Sequence, residues 1–225
     1  MTTPSLVILD MAGTTIEDRG QVPSAFASTL SANGVMLSAD EIARVRGASK
    51  RQAIRNLLRL REDAQAFEAE ADRIYAEFRR NLASTYTTEG VRSVPGADRV
   101  IQDLRARGIK VALTTGFDRD IATLLLSSLG WTRHTVDVVV CGDDVDNGRP
   151  APDMILLAMK LTGVIDAGQV ANAGDTILDL ESAARAGVRW NVGVLSGAHA
   201  REALERAPHT HIIDSVANLD EVLRS

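Results

Sequence analysis

From residue 94 onwards, short apolar runs alternate with segments that have the composition of helices. Runs of four or five apolar residues are typical of strands buried on both faces of a parallel sheet. Strands separated by helices predict a doubly wound parallel sheet of the α/β class with right-handed crossovers. The first strand comes earlier, and the expected strands are Leu6 to Leu9, Ile109 to Leu113, Val136 to Val140, Val170 to Ala173, Trp190 to Val194 and Ile212 to Ile213.

Residues 16–91 carry helix signals and almost no strand signal. Asn33-Gly34 is a helix stop, and Ser38 followed by Glu41 is a capping-box pattern. Further helices are expected from Ser49 to Leu60 and over residues 62–84. The predicted domains are therefore an α/β core made of residues 1–15 and 92–225, and a helical insert made of residues 16–91.

Two helices of the insert have apolar faces, at Ala25 to Leu30 and at Ile54 to Leu60. Such faces pack on each other or on a second copy of the chain, and no pattern in the sequence decides between these. A homodimer through the insert is thus one expectation.

Composition excludes several classes of partner. The formal net charge is −5 and the pI is about 5.4, which argues against a nucleic-acid-binding surface. No apolar run approaches the roughly 18 residues of a membrane span, and no basic segment followed by an apolar stretch begins the sequence. The single cysteine, Cys141, is expected in the core and fits a reducing compartment. We therefore expect a cytoplasmic location, without a membrane or nucleic-acid partner.

Polar groups follow several of the predicted strands. In open α/β sheets, ligands bind beyond the carboxyl ends of the strands, so side chains there are site candidates. Each has a structural interpretation as well: Asp10 and Thr114 could cap the helices that follow, and the loop containing Arg149 could be a simple turn. Asp175 and Asp179 lie four residues apart and would share a face if the helix has already begun. With Asp10 they form a set of hard oxygen ligands suited to Mg²⁺.

In this order along the chain, Asp10, Thr114, Arg149 before Pro150, and Gly174-Asp175-Thr176-x-x-Asp179 resemble the motifs of the haloacid dehalogenase superfamily. The resemblance implies a Rossmann-like core with an inserted helical cap that closes over the site and excludes water. It further implies that Asp10 is a nucleophile that forms an aspartyl-phosphate, that Thr114 and Arg149 bind the phosphoryl group, and that Asp175 and Asp179 hold Mg²⁺. The substrate implied is a small-molecule phosphate or phosphonate.

The chain departs from the common pattern of that superfamily at two positions. Ala12 stands where most of its phosphatases have an aspartate that protonates the leaving group, and Arg149 stands where lysine is usual. Loss of general acid catalysis costs on the order of 10²- to 10⁴-fold in rate. Asp10-x-Ala12-Gly13-Thr14 together with Arg149 resembles the phosphonatase-like branch, whose type enzyme cleaves the carbon–phosphorus bond of phosphonoacetaldehyde. There a cap lysine forms a Schiff base that accepts the electrons of the breaking bond.

Lys50, in Gly47-Ala48-Ser49-Lys50, falls where that branch has its Schiff-base lysine. To react as an amine it must lose its proton, which burial or a neighbouring Arg46 would favour by lowering a pKa that is ordinarily about 10.4. The alternative is that Lys50 only binds an anionic group of the substrate. Ala53 and Phe117 stand where phosphonatase has a histidine and a tyrosine, and the histidines of the chain, His134, His199, His209 and His211, all lie outside the insert.

Three functions are therefore open at this point. The first is a phosphonatase-like hydrolase, the second is a phosphomonoesterase for phosphoglycolate or a sugar phosphate, and the third is a non-catalytic phosphate-binding protein. The expected catalytic residues are Asp10, Lys50, Thr114 and Arg149. The expected substrate-binding residues are Ala12, Gly13, Thr14, Arg46, Thr115 and Gly116, and the expected metal site comprises Asp10, Ala12, Asp175 and Asp179.

Overall fold

The computed structural model of the chain describes residues 3–38, 41–42, 45, 47–59 and 64–224. Within these residues the strands form one parallel sheet in the order β3-β2-β1-β4-β5-β6. This confirms the predicted doubly wound α/β class. The strands are β1 (Leu6–Asp10), β2 (Lys110–Thr114), β3 (Val138–Val140), β4 (Val170–Gly174), β5 (Trp190–Val194) and β6 (His211–Ile213).

Helices occur both among the strands and in the segment between β1 and β2. They are α1 (Gln21–Ala32), α2 (Lys50–Arg59), α3 (Ala64–Glu89), α4 (Ala97–Ala106), α5 (Arg119–Leu129), α6 (Asp153–Thr162), α7 (Ile177–Ala186), α8 (Arg201–Leu204) and α9 (Leu219–Leu223). Short 3₁₀ turns cover Ala167–Gln169 and Val216–Asn218. In the described part of the chain, no helix combines the length and apolar character needed to cross a membrane.

Two helices differ from the prediction. Helix α3 continues to Glu89 rather than ending at residue 84, because Tyr86 is buried and extends the packed face by one turn. The helix stops before Gly90, whose φ of 76° suits the left-handed position that ends helices. The sequence also predicts a helix from His199 to Arg206, but only the short α8 forms there, and it begins after Ala198 and His199, whose N–H groups hydrogen-bond to Asp175.

The chain divides into two compact units, which we call the sheet unit (Met1–Asp18 with Val91–Ser225) and the helical unit (Arg19–Gly90). In the sheet unit, β1 is the central strand and all five of its residues are buried. Its apolar side chains Leu6 and Ile8 pack in one cluster with Met154 and Ile155 of α6. Burial on both faces explains why this strand is an unbroken apolar run.

The helical unit is organised on α3, against which α1 and α2 both pack. Phe26 of α1 meets Phe78 of α3 edge-to-face, with ring centroids 5.6 Å apart. Ile54 of α2 is fully buried, and Arg51 of the same helix is paired with Asp72 of α3. The apolar faces of α1 and α2 are thus covered within this chain by a third helix.

Candidate active site

The carboxyl ends of β1, β2 and β4 bring the first polar groups together. Asp10 is the last residue of β1 and lies opposite Thr114, the last residue of β2, while Asp175 directly follows β4. Neighbouring parallel strands end at the same edge of the sheet, which is where ligands bind in folds of this class. All three residues are at least nine-tenths buried.

Arg149 is the centre of this group. Its Nη1 lies 2.7 Å from Asp10 Oδ1 and 2.8 Å from Asp179 Oδ1, and its Nη2 donates to Thr114 Oγ1 at 2.8 Å. The guanidinium is buried, and its planar fork reaches partners on three different segments at once. It therefore fixes the relative positions of Asp10, Thr114 and Asp179.

Asp179 comes to the site through the start of α7. Thr176 is the N-cap: its Oγ1 accepts the N–H of Asp179 at 3.3 Å, and Asp179 Oδ2 accepts the Thr176 N–H at 3.1 Å. The helix begins at Ile177, so Asp175 precedes it. The condition under which Asp175 and Asp179 would share a helical face is therefore not met; the capping turn, rather than helical spacing, brings the two carboxylates together.

Asp175 accepts hydrogen bonds from two loops, through a side-chain hydroxyl of one and a main-chain N–H of the other. Its Oδ1 accepts the Thr14 hydroxyl at 3.3 Å, and its Oδ2 accepts the N–H of Ala198 at 2.6 Å. Glycines flank it closely: a Cβ at Gly13 would lie 2.4 Å from Asp175 Oδ2, and one at Gly197 would lie 2.0 Å from it. Gly13 also has a φ of 95°, which side-chain-bearing residues rarely adopt.

The segment after β5 also contributes to the site, and it is not among the residues predicted from the sequence. A signal was available, because Ser196-Gly197-Ala198-His199 follows a strand of the same parallel sheet and so must emerge at the same edge as Asp10. The contacts of this segment with the site come from the Ser196 and His199 side chains and from the N–H groups of Ala198 and His199.

The environment of the site disfavours the charged form of its carboxyl groups. Burial raises the pKa of Asp10 to about 7, with Asp179 adding to the rise and Arg149 opposing it. Burial also raises the pKa of Asp175 well above its ordinary value, and Asp10 and Asp179 raise it further. Burial alone would lower the pKa of Arg149, but Asp179 and Asp10 outweigh this and raise it. Three buried carboxylates thus face one guanidinium.

This excess of negative charge tests whether a magnesium ion fits. Among the residues that the structure describes, no three His, Cys, Asp or Glu side chains are arranged as a ready cation site. The donor chemistry nevertheless fits, because carboxylate oxygens are the ligands Mg²⁺ prefers and its charge would offset the repulsion of the acids. Ala12 is half-buried and follows Asp10 by two residues, and the only ligand that it could offer to the cation is its backbone carbonyl.

The other predicted substrate-binding residues of the sheet unit lie in turns. Met11 O accepts the N–H groups of Thr14 and Thr15, which closes the loop that contains Ala12 and Gly13. Thr115 Oγ1 accepts the N–H of Phe117 at 3.2 Å, so this hydroxyl stabilises the turn that includes Gly116.

Lys50 is the first residue of α2 in the helical unit, and it is buried with 8% of its surface exposed. Its Nζ donates to Val45 O at 2.8 Å and to Ala48 O at 3.1 Å, and it lies 5.9 Å from the centroid of the Phe26 ring. Two carbonyl dipoles and an aromatic ring thus contact the buried ammonium. The predicted neighbour Arg46 lies outside the described residues.

Comparison with known proteins gives a consistent result. A family model described as haloacid dehalogenase-like hydrolase matches residues 4–187. A phosphonoacetaldehyde hydrolase from Bacillus cereus is 31% identical, with 85% of this chain and 75% of that protein covered. One from Paraburkholderia phytofirmans is 30% identical, with 96% and 93% covered. Among solved structures, a hydrolase from Pseudomonas syringae superposes with a TM-score of 0.86 at 26% identity, covering 98% of each chain.

Proposed function

The chain belongs to the haloacid dehalogenase-like hydrolases, and we propose that it transfers a phosphoryl group from a small phosphonate aldehyde to Asp10 and then to water. The observation that carries the phosphoryl-transfer part is the single buried guanidinium of Arg149, which contacts Asp10, Asp179 and Thr114. The proposed nucleophile, Asp10, and the two proposed phosphoryl-binding donors, Arg149 and Thr114, thus lie at one edge of the sheet. The relatives named phosphonoacetaldehyde hydrolase support the choice of substrate class.

In the first step, a carboxylate oxygen of Asp10 attacks phosphorus and the bond from phosphorus to its leaving group breaks. Arg149 and Thr114 donate hydrogen bonds at this edge of the sheet, where they would bind the phosphoryl oxygens as negative charge develops on them. Water then attacks the aspartyl-phosphate, which releases inorganic phosphate and regenerates the Asp10 carboxylate. This accounts for hydrolysis with one nucleophile and without a serine or cysteine.

We propose that Asp10, Asp175 and Asp179, with the backbone carbonyl of Ala12, would hold Mg²⁺. When bound, the cation would supply the positive charge that lets an anionic carboxylate approach an anionic phosphorus. The raised pKa of Asp10, to about 7 by burial, supports the need for such a charge. Arg149 alone does not restore the ordinary pKa of this carboxyl.

The lack of a proton donor for the leaving group favours a substrate with a carbon–phosphorus bond. Ala12 has no proton to donate, so an alkoxide would have to leave unassisted. In the proposed reaction, Lys50 Nζ attacks the aldehyde carbon and water is lost, which gives a protonated imine. When the C–P bond breaks, its electron pair moves into this imine to form an enamine, which is protonated at carbon and hydrolysed to the free aldehyde and Lys50. Water is the only co-reactant that these steps require.

This proposal requires Lys50 and Asp10 to act on one substrate molecule. Lys50 is buried at the start of α2, where its amine is shielded from bulk water. We further propose that residues 16–91 act as a cap domain for a core of residues 1–15 and 92–225. The buried, unpaired thiol Cys141 supports the expected cytoplasmic location.

A phosphomonoesterase is the second candidate, and two observations favour it. Ala53 and Phe117 stand where phosphonatase has a histidine and a tyrosine, and neither side chain carries a group that can transfer a proton. Lys50 Nζ also donates hydrogen bonds to two backbone carbonyls, as an ammonium ion does, and an ammonium ion can bind an anionic substrate. In this candidate Lys50 forms no covalent bond.

The deciding experiment is phosphate release with Mg²⁺ from phosphonoacetaldehyde and from a panel of phosphate esters, for the wild type, Lys50→Arg and the exposed control Lys110→Arg. We expect release from the aldehyde that Lys50→Arg abolishes and Lys110→Arg retains. Borohydride added during turnover should trap a reduced adduct on Lys50, seen by peptide mass spectrometry. Release only from esters, unchanged in Lys50→Arg and without an adduct, would establish the phosphomonoesterase instead.

A separate measurement tests the phosphoryl site itself. Beryllium or aluminium fluoride with Mg²⁺ mimics a phosphoryl group on a carboxylate and should raise the melting temperature, because a ligand that binds only the folded state stabilises it. Asp10→Asn should abolish this shift. A wild type without any shift would refute the aspartyl-phosphate proposal.

A further inference from the structure

The loop after β5, residues 196–199, is bonded to both segments that carry the acids of the site; we call it the clamp loop. Ser196 Oγ donates to Gly13 O at 2.7 Å, which ties the loop to the turn after β1. The N–H of Ala198 donates to Asp175 Oδ2 at 2.6 Å, and that of His199 to Asp175 O at 3.3 Å. One short segment therefore holds both the side chain and the main chain of Asp175.

His199 makes the contact that is specific to its side chain. Its Nδ1 accepts the N–H of Ile177, the first residue of α7, at 3.0 Å. A ring nitrogen that accepts is unprotonated, so in a neutral ring the proton is on Nε2. The N–H groups of the first helical turn have no partner within their helix, and His199 provides one for Ile177.

Ile177 lies between the two candidate metal ligands. Asp175 precedes it by two residues and Asp179 follows it by two, so the Ile177 peptide sets the direction in which the chain passes from one carboxylate to the other. Thr176 satisfies the N–H of Asp179 from within the helix cap, whereas the N–H of Ile177 depends on the clamp loop. The two anchors together fix the turn.

We propose that His199 is a positioning residue for the Mg²⁺ site, which acts by fixing the turn between Asp175 and Asp179 through the Ile177 N–H. This inference rests on the proposed function, because it presumes that these two carboxylates hold the metal. His199 takes no part in the chemical steps. Loss of partners that orient metal ligands from outside the coordination sphere typically costs 10- to 100-fold in metal affinity or activity.

Two substitutions separate the hydrogen bond from the bulk of the ring. His199→Ala removes the acceptor and leaves the Ile177 N–H without this partner. His199→Asn places a carbonyl oxygen close to where Nδ1 lies, so it should restore the acceptor. His134→Ala is the matched control, since His134 is exposed in the turn that precedes β3.

The experiment is Mn²⁺ binding to the full chain without substrate, followed by the loss of the free-Mn²⁺ signal in electron paramagnetic resonance. We expect His199→Ala to raise the Mn²⁺ dissociation constant about 10- to 100-fold, with His199→Asn and His134→Ala close to the wild type. Ser196→Ala, which loosens the same loop at Gly13, should raise it as well and provides a second test if His199→Ala is unstable. Unchanged Mn²⁺ affinity in His199→Ala, or a loss that His199→Asn does not reverse, would overturn the inference.

Asp175→Asn in the same titration distinguishes this failure from that of the proposed function. If Asp175→Asn loses Mn²⁺ while His199→Ala keeps it, the metal site stands and only the role of His199 is wrong. If the wild type binds no Mn²⁺, or Asp175→Asn binds it normally, the proposed metal site itself is wrong.

Discussion

Replacement of Gly197 by alanine should displace the Asp175 carboxylate and sharply lower activity. The added Cβ would lie 2.0 Å from Asp175 Oδ2 and 2.4 Å from its Cγ, and Cβ atoms essentially never approach another heavy atom within 3.0 Å. The carboxylate must therefore move by about 1 Å, a misplacement that can cost about 10²-fold in rate. We expect kcat/KM for phosphate release, measured with Mg²⁺ in excess, to fall by about 10²-fold.

Gly193→Ala is the matched control for this substitution. Gly193 lies on β5, and its added Cβ would meet Leu204 Cδ1, the end of a flexible side chain, at 3.2 Å and Ile212 Cγ1 at 3.4 Å, an ordinary van der Waals distance. Crowding of this kind costs about 1–3 kcal/mol of stability, which thermal unfolding would report, and should leave the site in place. Activity in Gly197→Ala equal to that in Gly193→Ala would refute the reasoning, because it would mean that the position of Asp175 is not needed for turnover.

Three further predictions concern single side chains. Burial raises the pKa of Cys141 to about 12, so its thiol should react with a disulfide reagent at pH 8 only after unfolding, and reaction in the native protein would contradict the structure. Burial tends to raise the pKa of Asp137, but the Val111 N–H and Arg105 lower it overall. The stability that this acid contributes should therefore be present above its unfolded pKa and be lost as pH falls through its folded pKa. Denaturant titrations at several pH values should show this dependence in the wild type and not in Asp137→Asn. Arg51 is about half exposed where it pairs with Asp72, so Arg51→Ala should change the free energy of unfolding by no more than about 1 kcal/mol in urea titrations.

The central strands could be predicted because they are buried on both faces. β1 is an apolar run with a sharp end, and the predicted β5 agrees with the observed Trp190–Val194, all five residues of which are buried. The ends of α3 and α8 could not be predicted, because each depends on a distant contact: the burial of Tyr86 in one case and the hydrogen bonds to Asp175 in the other. Local propensity carries no information about either contact.

In the candidate site, too, the residues at strand ends could be predicted from the sequence, whereas those placed by distant contacts could not. Asp10 and Thr114 were identified because strand ends in a parallel sheet share an edge, and their register pairs them directly. The roles given to them remain proposals. Most of the geometry around Asp175 could not be predicted, because the N–H of Ala198 and the bare Cα of Gly197 leave no distinctive residue type in the sequence. The Thr14 hydroxyl, which also donates to Asp175, belongs to a residue that the motif after β1 had pointed to.

The charge balance at the sheet edge links stability to function. A buried acid whose folded pKa lies above its unfolded value, as burial makes that of Asp10, disfavours folding as pH rises from the unfolded value towards the folded one. At neutral pH, Asp10 and Asp175 therefore oppose folding, and the apolar strand β1 beneath them must offset that cost. Arg149 cannot remove it, because one guanidinium faces three carboxylates. A site made only for stability would have fewer acids, so this excess of negative charge supports the proposed Mg²⁺ site.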